Sequence, residues 1–456
     1  MRIILYFIAG LVSSTAFAPF EFWSSAFIGL GLWFYLLDKS RPTARFIGSY
    51  VYGLGLLLPA QHWTGIYVGN LPWIVLCLVQ SIFFIVPAFF FANGIRLKPY
   101  FFASSYVLVE LLLRTIPFTG FGWSRMSYTQ TQSPFSILYP LGGVVLVAWV
   151  LAFSVAIRRL SALILVITLI SLAAIVPSQI TNSGKIKVAL IQGGVNKLGL
   201  DFNSKPREVF FRHLDQTNRL TESVDLIIWP ENAVDIDVNQ NPDIKKLITD
   251  ISVAKGTPIL VGGVTNSPKG LKNQSMFFTP ILSQTYTKRY LTPFGEYLPI
   301  RSVAMRVSAY AKQIDDFTAG EQSQTFLFRL GDFQTLICYE LINDRFRDEI
   351  SANFLVIQTN NATFGDTAQL DQELNIAKVR ALETGRNIAY VSTTGVTSLL
   401  SNGGKVLKTV EKFKKTELIG EIDLVEGKTL AQRYGFLLEP FFLLTLLLMK
   451  FRRIRS

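Results

Sequence analysis

The feature that most constrains this chain is a set of apolar stretches crowded into its first 177 residues. Seven of them run Ile3–Ala18, Phe22–Leu37, Phe46–Val68, Trp73–Asn93, Tyr100–Ile116, Phe135–Ile157 and Leu160–Val176, and an eighth is Phe436–Met449. A hydrocarbon core of about 30 Å is crossed by roughly 20 helical residues, and most of these runs approach that length. One such run reads equally well as a buried core helix. Eight together, in a chain only 17% charged, predict a polytopic α-helical membrane domain.

Charge placement supplies an orientation. The net charge is +12, which would suit a nucleic-acid partner if it were spread over a polar surface. It is not. Up to Ile180 there are 10 Lys/Arg against 3 Asp/Glu, whereas from there to Tyr434 the count is 30 against 28. With eight alternating helices, Arg2, the Lys39/Arg41/Arg45 loop, Arg96/Lys98, Arg158/Arg159 and the Lys450–Arg455 tail share one side. Positive-inside bias makes that side cytoplasmic, with Arg125 alone opposing it. The expected layout is a seven-helix region over 1–177, a water-facing extracytoplasmic domain over 178–435, and an eighth helix with basic tail over 436–456. No nucleic-acid partner is expected. Ala16-Phe17-Ala18 has the form of a signal-peptide cleavage site, but Pro19 follows it and disfavours processing, so the segment is expected to stay.

Two cysteines, Cys77 and Cys338, support no disulfide framework, and two histidines, His62 and His213, suggest no metal centre. From Lys185 onward the pattern changes. Short β-rich runs at Lys187–Gln192, Asp225–Trp229, Pro258–Gly263, Gln274–Thr279, Thr325–Leu330, Gln334–Ile337, Phe354–Thr359, Asn387–Ser392 and Val396–Leu400 alternate with helical stretches. Those helices are expected at Lys205–Ser223, Asp243–Ala254, Asn343–Ser351 and Gln369–Gly385. This alternation predicts one α/β domain with covered sheets.

Three residues in that domain carry possible chemistry. Glu231 follows the apolar run Leu226–Trp229 and the rigid Pro230. A carboxylate held there suits a general base, and equally suits an acid at a helix N-terminus. Cys338 ends a second apolar strand, where a thiol can act as nucleophile or pack inertly. Cys77, within an apolar span, is read as inert. Lys288, after Ser283–Thr287, opens the block that runs to Tyr297 and taken singly reads as a solvated edge charge.

The order Glu, Lys, Cys, each near a strand end, resembles the nitrilase superfamily. Trp229-Pro230-Glu231-Asn232-Ala233, the block Lys288 to Tyr297 and Cys338-Tyr339-Glu340 are similar to the apolipoprotein N-acyltransferase family within it. Ala16–Phe20, Glu110–Arg114, Thr119–Trp123, Thr359–Gly365 and Arg380–Arg386 extend the likeness over nearly the whole chain. Two departures stand out. Many members carry Trp shortly after the first strand of the catalytic domain, where this chain reads Gln192–Asp201, and many have Trp in place of Thr363. The Asn360–Gly365 string resembles actinobacterial members.

The resemblance implies an αββα sandwich and a Glu231–Lys288–Cys338 triad. Glu296 would orient Lys288, with Tyr339 and Glu340 supporting the pocket beside Cys338. It implies a phospholipid acyl donor, a diacylglyceryl apolipoprotein acceptor, a thioester intermediate, and neither cofactor nor metal. Ile300–Ile314 reads as an amphipathic lid or as an ordinary packed helix, and Glu110 and Arg114, spaced i to i+4, as a pair facing a protein interior or a cavity, in a structural or a substrate role. Two other readings stay open: a membrane-anchored nitrilase-type amidase, and a non-catalytic transporter or receptor.

Overall fold

Small residues, not large ones, set the closest helix contacts in the first part of the chain. The computed structural model describes residues 2–66, 69–91, 97–157, 179–199, 201–307, 312 and 314–454, together with 164, 167–168, 170–171 and 175–176. The chain divides into two units, residues 1–179 with 429–456, and residues 180–428.

The first unit is helical: α1 (Arg2–Ser14), α2 (Ser25–Lys39), α3 (Pro42–Ala60), α4 (Asn70–Ser81), α5 (Val86–Phe90), α6 (Lys98–Thr115), α7 (Tyr139–Ala156) and a C-terminal helix, Leu430–Ile454. A Cβ on Gly10 would fall 2.2 Å from the Tyr52 carbonyl oxygen, and one on Gly55 2.3 Å from that of Phe7. Helices α1 and α3 therefore touch backbone to backbone, as small-residue stripes allow. Trp33 stacks on Tyr52 at 4.2 Å and donates to Ser49 Oγ. Among the described residues, two continuous helical stretches, Asn70–Phe90 and Pro134–Ala156, are long and apolar enough to cross a membrane. The expected span Leu160–Val176 and the loop charges Arg96, Arg158 and Arg159 lie largely outside the described residues.

The expected Glu110–Arg114 pair does not form. Glu110 is fully enclosed and instead meets Arg125 at 3.1 Å while accepting from the Ser127 backbone N–H and hydroxyl. Arg114, one turn further along α6, pairs with Glu439 of the C-terminal helix at 2.5 Å. The loop after α6 folds back and delivers a guanidinium and two donors to Glu110, a fuller set than one helical neighbour offers.

The second unit stacks two six-stranded sheets, ordered β12-β1-β2-β3-β4-β5 and β11-β10-β9-β8-β7-β6. The first holds β1 (Ile180–Gln192), β2 (Leu226–Ile228), β3 (Ile259–Ser267), β4 (Gly270–Phe278), β5 (Leu282–Thr287) and β12 (Thr416–Gly427). The second holds β6 (Thr325–Phe326), β7 (Phe333–Ile337), β8 (Phe354–Thr359), β9 (Ile388–Ser392), β10 (Ser398–Leu400) and β11 (Val406–Thr409). Strands β1–β2–β3 and β7–β8–β9 run parallel, so their C-terminal ends gather on one edge of each sheet. The helices are α8 (Glu208–Asn218), α9 (Pro242–Lys255), α10 (Arg301–Val307), α11 (Arg345–Glu349) and α12 (Gln369–Thr384).

Two-residue alternation sorts the strand side chains. Val188, Leu190, Leu226 and Ile228 join Phe277, Phe333, Phe354 and Val356 in the core between the sheets. Ala189, Ile191 and Ile227 face the other way and pack with Phe210 of α8 and Ile244, Ile248 and Ile251 of α9. Helix α12 packs on β9, giving an αββα sandwich. Of the lid segment Ile300–Ile314, α10 is described, but Tyr310 and the side chains of Val303 and Val307 lie outside the described residues. Phe333, stacked on Phe326 at 4.9 Å and edge-on to Phe277 at 5.3 Å, centres the inter-sheet core. Phe333→Ala is expected to destabilise this unit by about 3–5 kcal/mol, read as a fall in its thermal unfolding midpoint.

Candidate active site

Each residue of the expected triad sits just beyond a strand. Glu231 follows β2, and its backbone is pinned: Trp229 N–H donates to the Leu260 carbonyl at 2.8 Å, and Thr393 Oγ1 to the Glu231 carbonyl at 2.9 Å. Gly262 makes this approach possible, since a Cβ there would lie 2.7 Å from Glu231 Cα. Lys288 follows β5, its N–H donating to the Asn273 carbonyl at 2.9 Å. Cys338 follows β7 with φ of 50°, a left-handed conformation that non-glycine residues seldom take. This turn lifts the half-buried sulfur off the strand and into the short 3₁₀ turn Cys338–Ile342. Strained backbone of this kind concentrates at functional positions.

The charges interlock. Lys288 Nζ lies 2.8 Å from Glu296 Oε2 and 3.7 Å from Glu231 Oε1, with its side chain essentially inaccessible. Asn273 Nδ2 bridges the two carboxylates, donating to Glu231 Oε1 at 2.8 Å and to Glu296 Oε1 at 2.9 Å. Glu296 also accepts the Thr292 N–H at 2.8 Å. Burial works against charge on Lys288, but Glu296 and Glu231 outweigh it and hold the ammonium above the usual lysine range. Burial likewise opposes ionisation of Glu296, and the Lys288 contact overcomes it, keeping that carboxyl low. Glu231 differs. Burial pushes it up to about 7, helped by neighbouring Glu296 and resisted by Lys288 and Asn273. The two carboxyls flanking one lysine are thus split in role, one firmly ionised and one poised near neutrality.

Cys338 feels the same field. Burial, then the Glu231 and Glu373 carboxylates, drive its thiol up, while Lys288 and a hydrogen bond with Thr359 pull it down. Glu340, expected beside the pocket, has a more specific place. Its carboxylate accepts the Ile337 N–H at 2.9 Å, the Tyr286 hydroxyl at 2.8 Å and the Arg289 N–H at 2.7 Å. It therefore clamps the turn carrying Cys338 to the chain leaving Lys288. Tyr339 is buried next to it.

Three contributors lie beyond the sequence reading. Asn273 is buried on β4 but is flanked in sequence by the polar Lys272 and Gln274, which leave it without a distinguishing signal. Gln358 Nε2 donates across the two sheets to the Trp229 carbonyl at 2.6 Å, beside Glu231. Glu373 of α12 lies fully buried against Thr359, and only tertiary structure brings it near the sulfur.

This sandwich, with its carboxylate, lysine and thiol at strand ends, defines a carbon-nitrogen hydrolase domain, and residues 187–432 match the Carbon-nitrogen hydrolase family model. Residues 9–157 match the model of the Apolipoprotein N-acyltransferase N-terminal domain. The apolipoprotein N-acyltransferase of Haemophilus ducreyi is 30% identical over 95% of this chain and 93% of its own. That of Mycolicibacterium smegmatis is 29% identical over 93% of this chain and 80% of its own. Among solved structures, an amidase from Nesterenkonia sp. is similar at 16% identity and a TM-score of 0.42, covering 58% of this chain and 99% of that one. The chain belongs to the apolipoprotein N-acyltransferase family, and it is an N-acyltransferase.

Because Lys288 is the nearby cation favouring thiolate, Lys288→Met should slow alkylation of Cys338 by iodoacetamide near neutral pH by about tenfold or more. Peptide-resolved mass spectrometry, which separates Cys338 from Cys77, measures it.

Proposed function

We propose that the enzyme transfers an acyl chain from a membrane phospholipid to the α-amine of an S-diacylglyceryl cysteine at a lipoprotein N-terminus, through a thioester on Cys338. Glu231 takes the thiol proton as the sulfur attacks the ester carbonyl. The Lys288 ammonium stabilises the oxyanion, the C–O bond breaks, and the lysophospholipid departs with a proton. The acceptor amine then attacks the thioester, Glu231 receives its proton, the C–S bond breaks, and an amide remains. The observation that carries this reading is one buried lysine shared by a low carboxyl, Glu296, and a poised one, Glu231, with the Cys338 thiol in their field.

The membrane setting is part of the proposal. The helical unit spans the bilayer several times, with basic loops cytoplasmic and the catalytic unit extracytoplasmic. The charge asymmetry and the two long apolar helical stretches support it. Both substrates carry long acyl chains, whose full extraction from lipid costs about 0.8 kcal/mol per methylene. The segment from Lys288 to α10 leaves Phe294 and Ile300 at least half exposed, at 50% and 57%. Such apolar exposure supports a loop that works at a lipid interface.

Depleting the enzyme in cells is expected to leave lipoprotein N-termini with a free α-amine, detected by mass spectrometry. Wild type should restore the amide and Cys338→Ser should not; full N-acylation after depletion would remove the proposal. A general base must be deprotonated to act, so kcat/KM should rise with pH through about 7, where Glu231 titrates. Glu231→Gln should lower it roughly 10²–10⁴-fold and abolish that rise.

A further inference from the structure

Behind the thiol, on the side of β8 and α12, lies a second carboxylate that the reaction above does not use. Strands β7 and β8 run parallel with Ile337 opposite Gln358, so the next residues, Cys338 and Thr359, emerge side by side. Thr359 stands beside Cys338 and helps hold its thiol down, and its Oγ1 lies 2.9 Å from Glu373 Oε1 and 3.1 Å from Oε2. Glu373 Oε2 also accepts Asn361 Nδ2 at 2.7 Å and Gln369 Nε2 at 3.0 Å. The orientation of both amides is set by their other contacts. Asn361 Oδ1 accepts the Ser392 hydroxyl at 2.6 Å, and Gln369 Oε1 accepts Asn361 Nδ2 at 3.1 Å. Two N–H donors therefore hold Oε2, and the adjustable proton on the path toward the sulfur is that between Glu373 and the Thr359 hydroxyl, whose oxygen also accepts Asn361 Nδ2 at 3.4 Å.

A hydroxyl has a single proton, so it donates in one direction at a time. We propose that Glu373 is a positioning residue that controls Cys338 through Thr359. With Glu373 ionised, the Thr359 hydroxyl donates to it and offers the sulfur only a lone pair, which suits the neutral thiol. With Glu373 protonated, its O–H donates to Thr359, whose hydroxyl then turns to donate to the thiolate. The passage between these states is a balanced relay. The S–H proton moves to Thr359 Oγ1 while the Thr359 proton moves to Glu373 Oε1, and no bond to carbon changes.

The surroundings fit this assignment. Glu231 and Lys288 face the sulfur from the first sheet, with Glu296 behind Lys288. Tyr390 of β9 and Asp371 of α12, the latter paired with Lys412 at 2.8 Å, are the other ionisable groups near Glu373. No cation touches Glu373 among the described residues, and burial pushes its carboxyl up against four hydrogen-bond donors, Asn361, Thr359, Gln369 and Tyr390. The relay lets the thiolate exist without a second uncompensated negative charge beside it.

The inference rests on Cys338 being the reacting sulfur. Iodoacetamide alkylation of the full-length protein reads that sulfur without turnover, so its failure would leave the acyl-transfer reading standing. Glu373→Gln, whose amide donates to Thr359 as the protonated acid would, is expected to raise the alkylation rate at pH 7 by about tenfold, one unit of thiol titration. In the Glu373→Gln/Thr359→Val double variant that gain should vanish. An unchanged rate in Glu373→Gln, or a gain that survives loss of the hydroxyl, would overturn the relay. A second arm needs only the near-isosteric Thr359→Val. It should match wild type at pH 8–9 and fall several-fold below it as pH drops and Glu373 takes its proton, whereas Thr359→Ser should follow wild type throughout. Equal rates for Thr359→Val and wild type at every pH would contradict the proposal.

Discussion

One buried ammonium holds the catalytic unit's chemistry in place. Lys288 is shut away from water and flanked by Glu231 and Glu296, which Asn273 ties together. A single positive charge cannot neutralise two carboxylates and a thiolate in a space of low polarizability, so one of the three carries a proton. Glu296, nearest the lysine, stays ionised, and the proton is left to be shared between Glu231 and Cys338. In the proposed reaction, thiolate formation and protonation of Glu231 are coupled, and the Thr359–Glu373 relay is a second exit for the thiol proton.

The scaffold exists to keep that charge arrangement at strand ends. Parallel β1–β2–β3 and β7–β8–β9 direct their C-terminal ends to the same edge, and the aromatic core between the sheets fixes their separation. Backbone strain supplies the final aim. Cys338, the first residue after β7, has a positive φ of 50°, and Asn232, directly after Glu231, has one of 54°. Glu340, spanning the Ile337 N–H and the Arg289 N–H, prevents the cysteine turn and the lysine exit from drifting apart. A hydrophobic interior thus confers rigidity, and a few buried polar groups convert that rigidity into position.

Much of this is legible in the amino-acid sequence. Glu231 and Cys338 each follow an apolar run with clear strand character, whereas the polar run before Lys288, Ser283–Thr287, carries little such signal. Parallel strands such as β8, Phe354–Thr359, read as continuous apolar runs because both faces are covered. Strand β11, Val406–Thr409, gives no such signal because it is exposed throughout, and in β12, Thr416–Gly427, the buried Leu418, Ile422 and Leu424 are interleaved with Glu417, Glu421 and Asp423, which breaks up any continuous apolar run. β12 is held by its long antiparallel register with β1, which is a non-local property. The same reason hides Asn273 and Glu373, whose meaning depends on partners more than twenty residues away or across a sheet. It also reverses the reading of Glu110 and Arg114: helical spacing suggests a pair, and tertiary partners offer each a better one.

The central claim is that Cys338 carries the acyl group between donor and acceptor. The most direct measurement is the intact mass of the purified enzyme incubated with a phospholipid of defined acyl chain and no acceptor, followed by peptide mapping. A mass gain equal to that acyl group, located on the Cys338 peptide, released by hydroxylamine and absent in Cys338→Ser, is the predicted result. Acyl transfer that proceeds in full with Cys338 replaced, or an adduct lodged on another residue, would contradict the account.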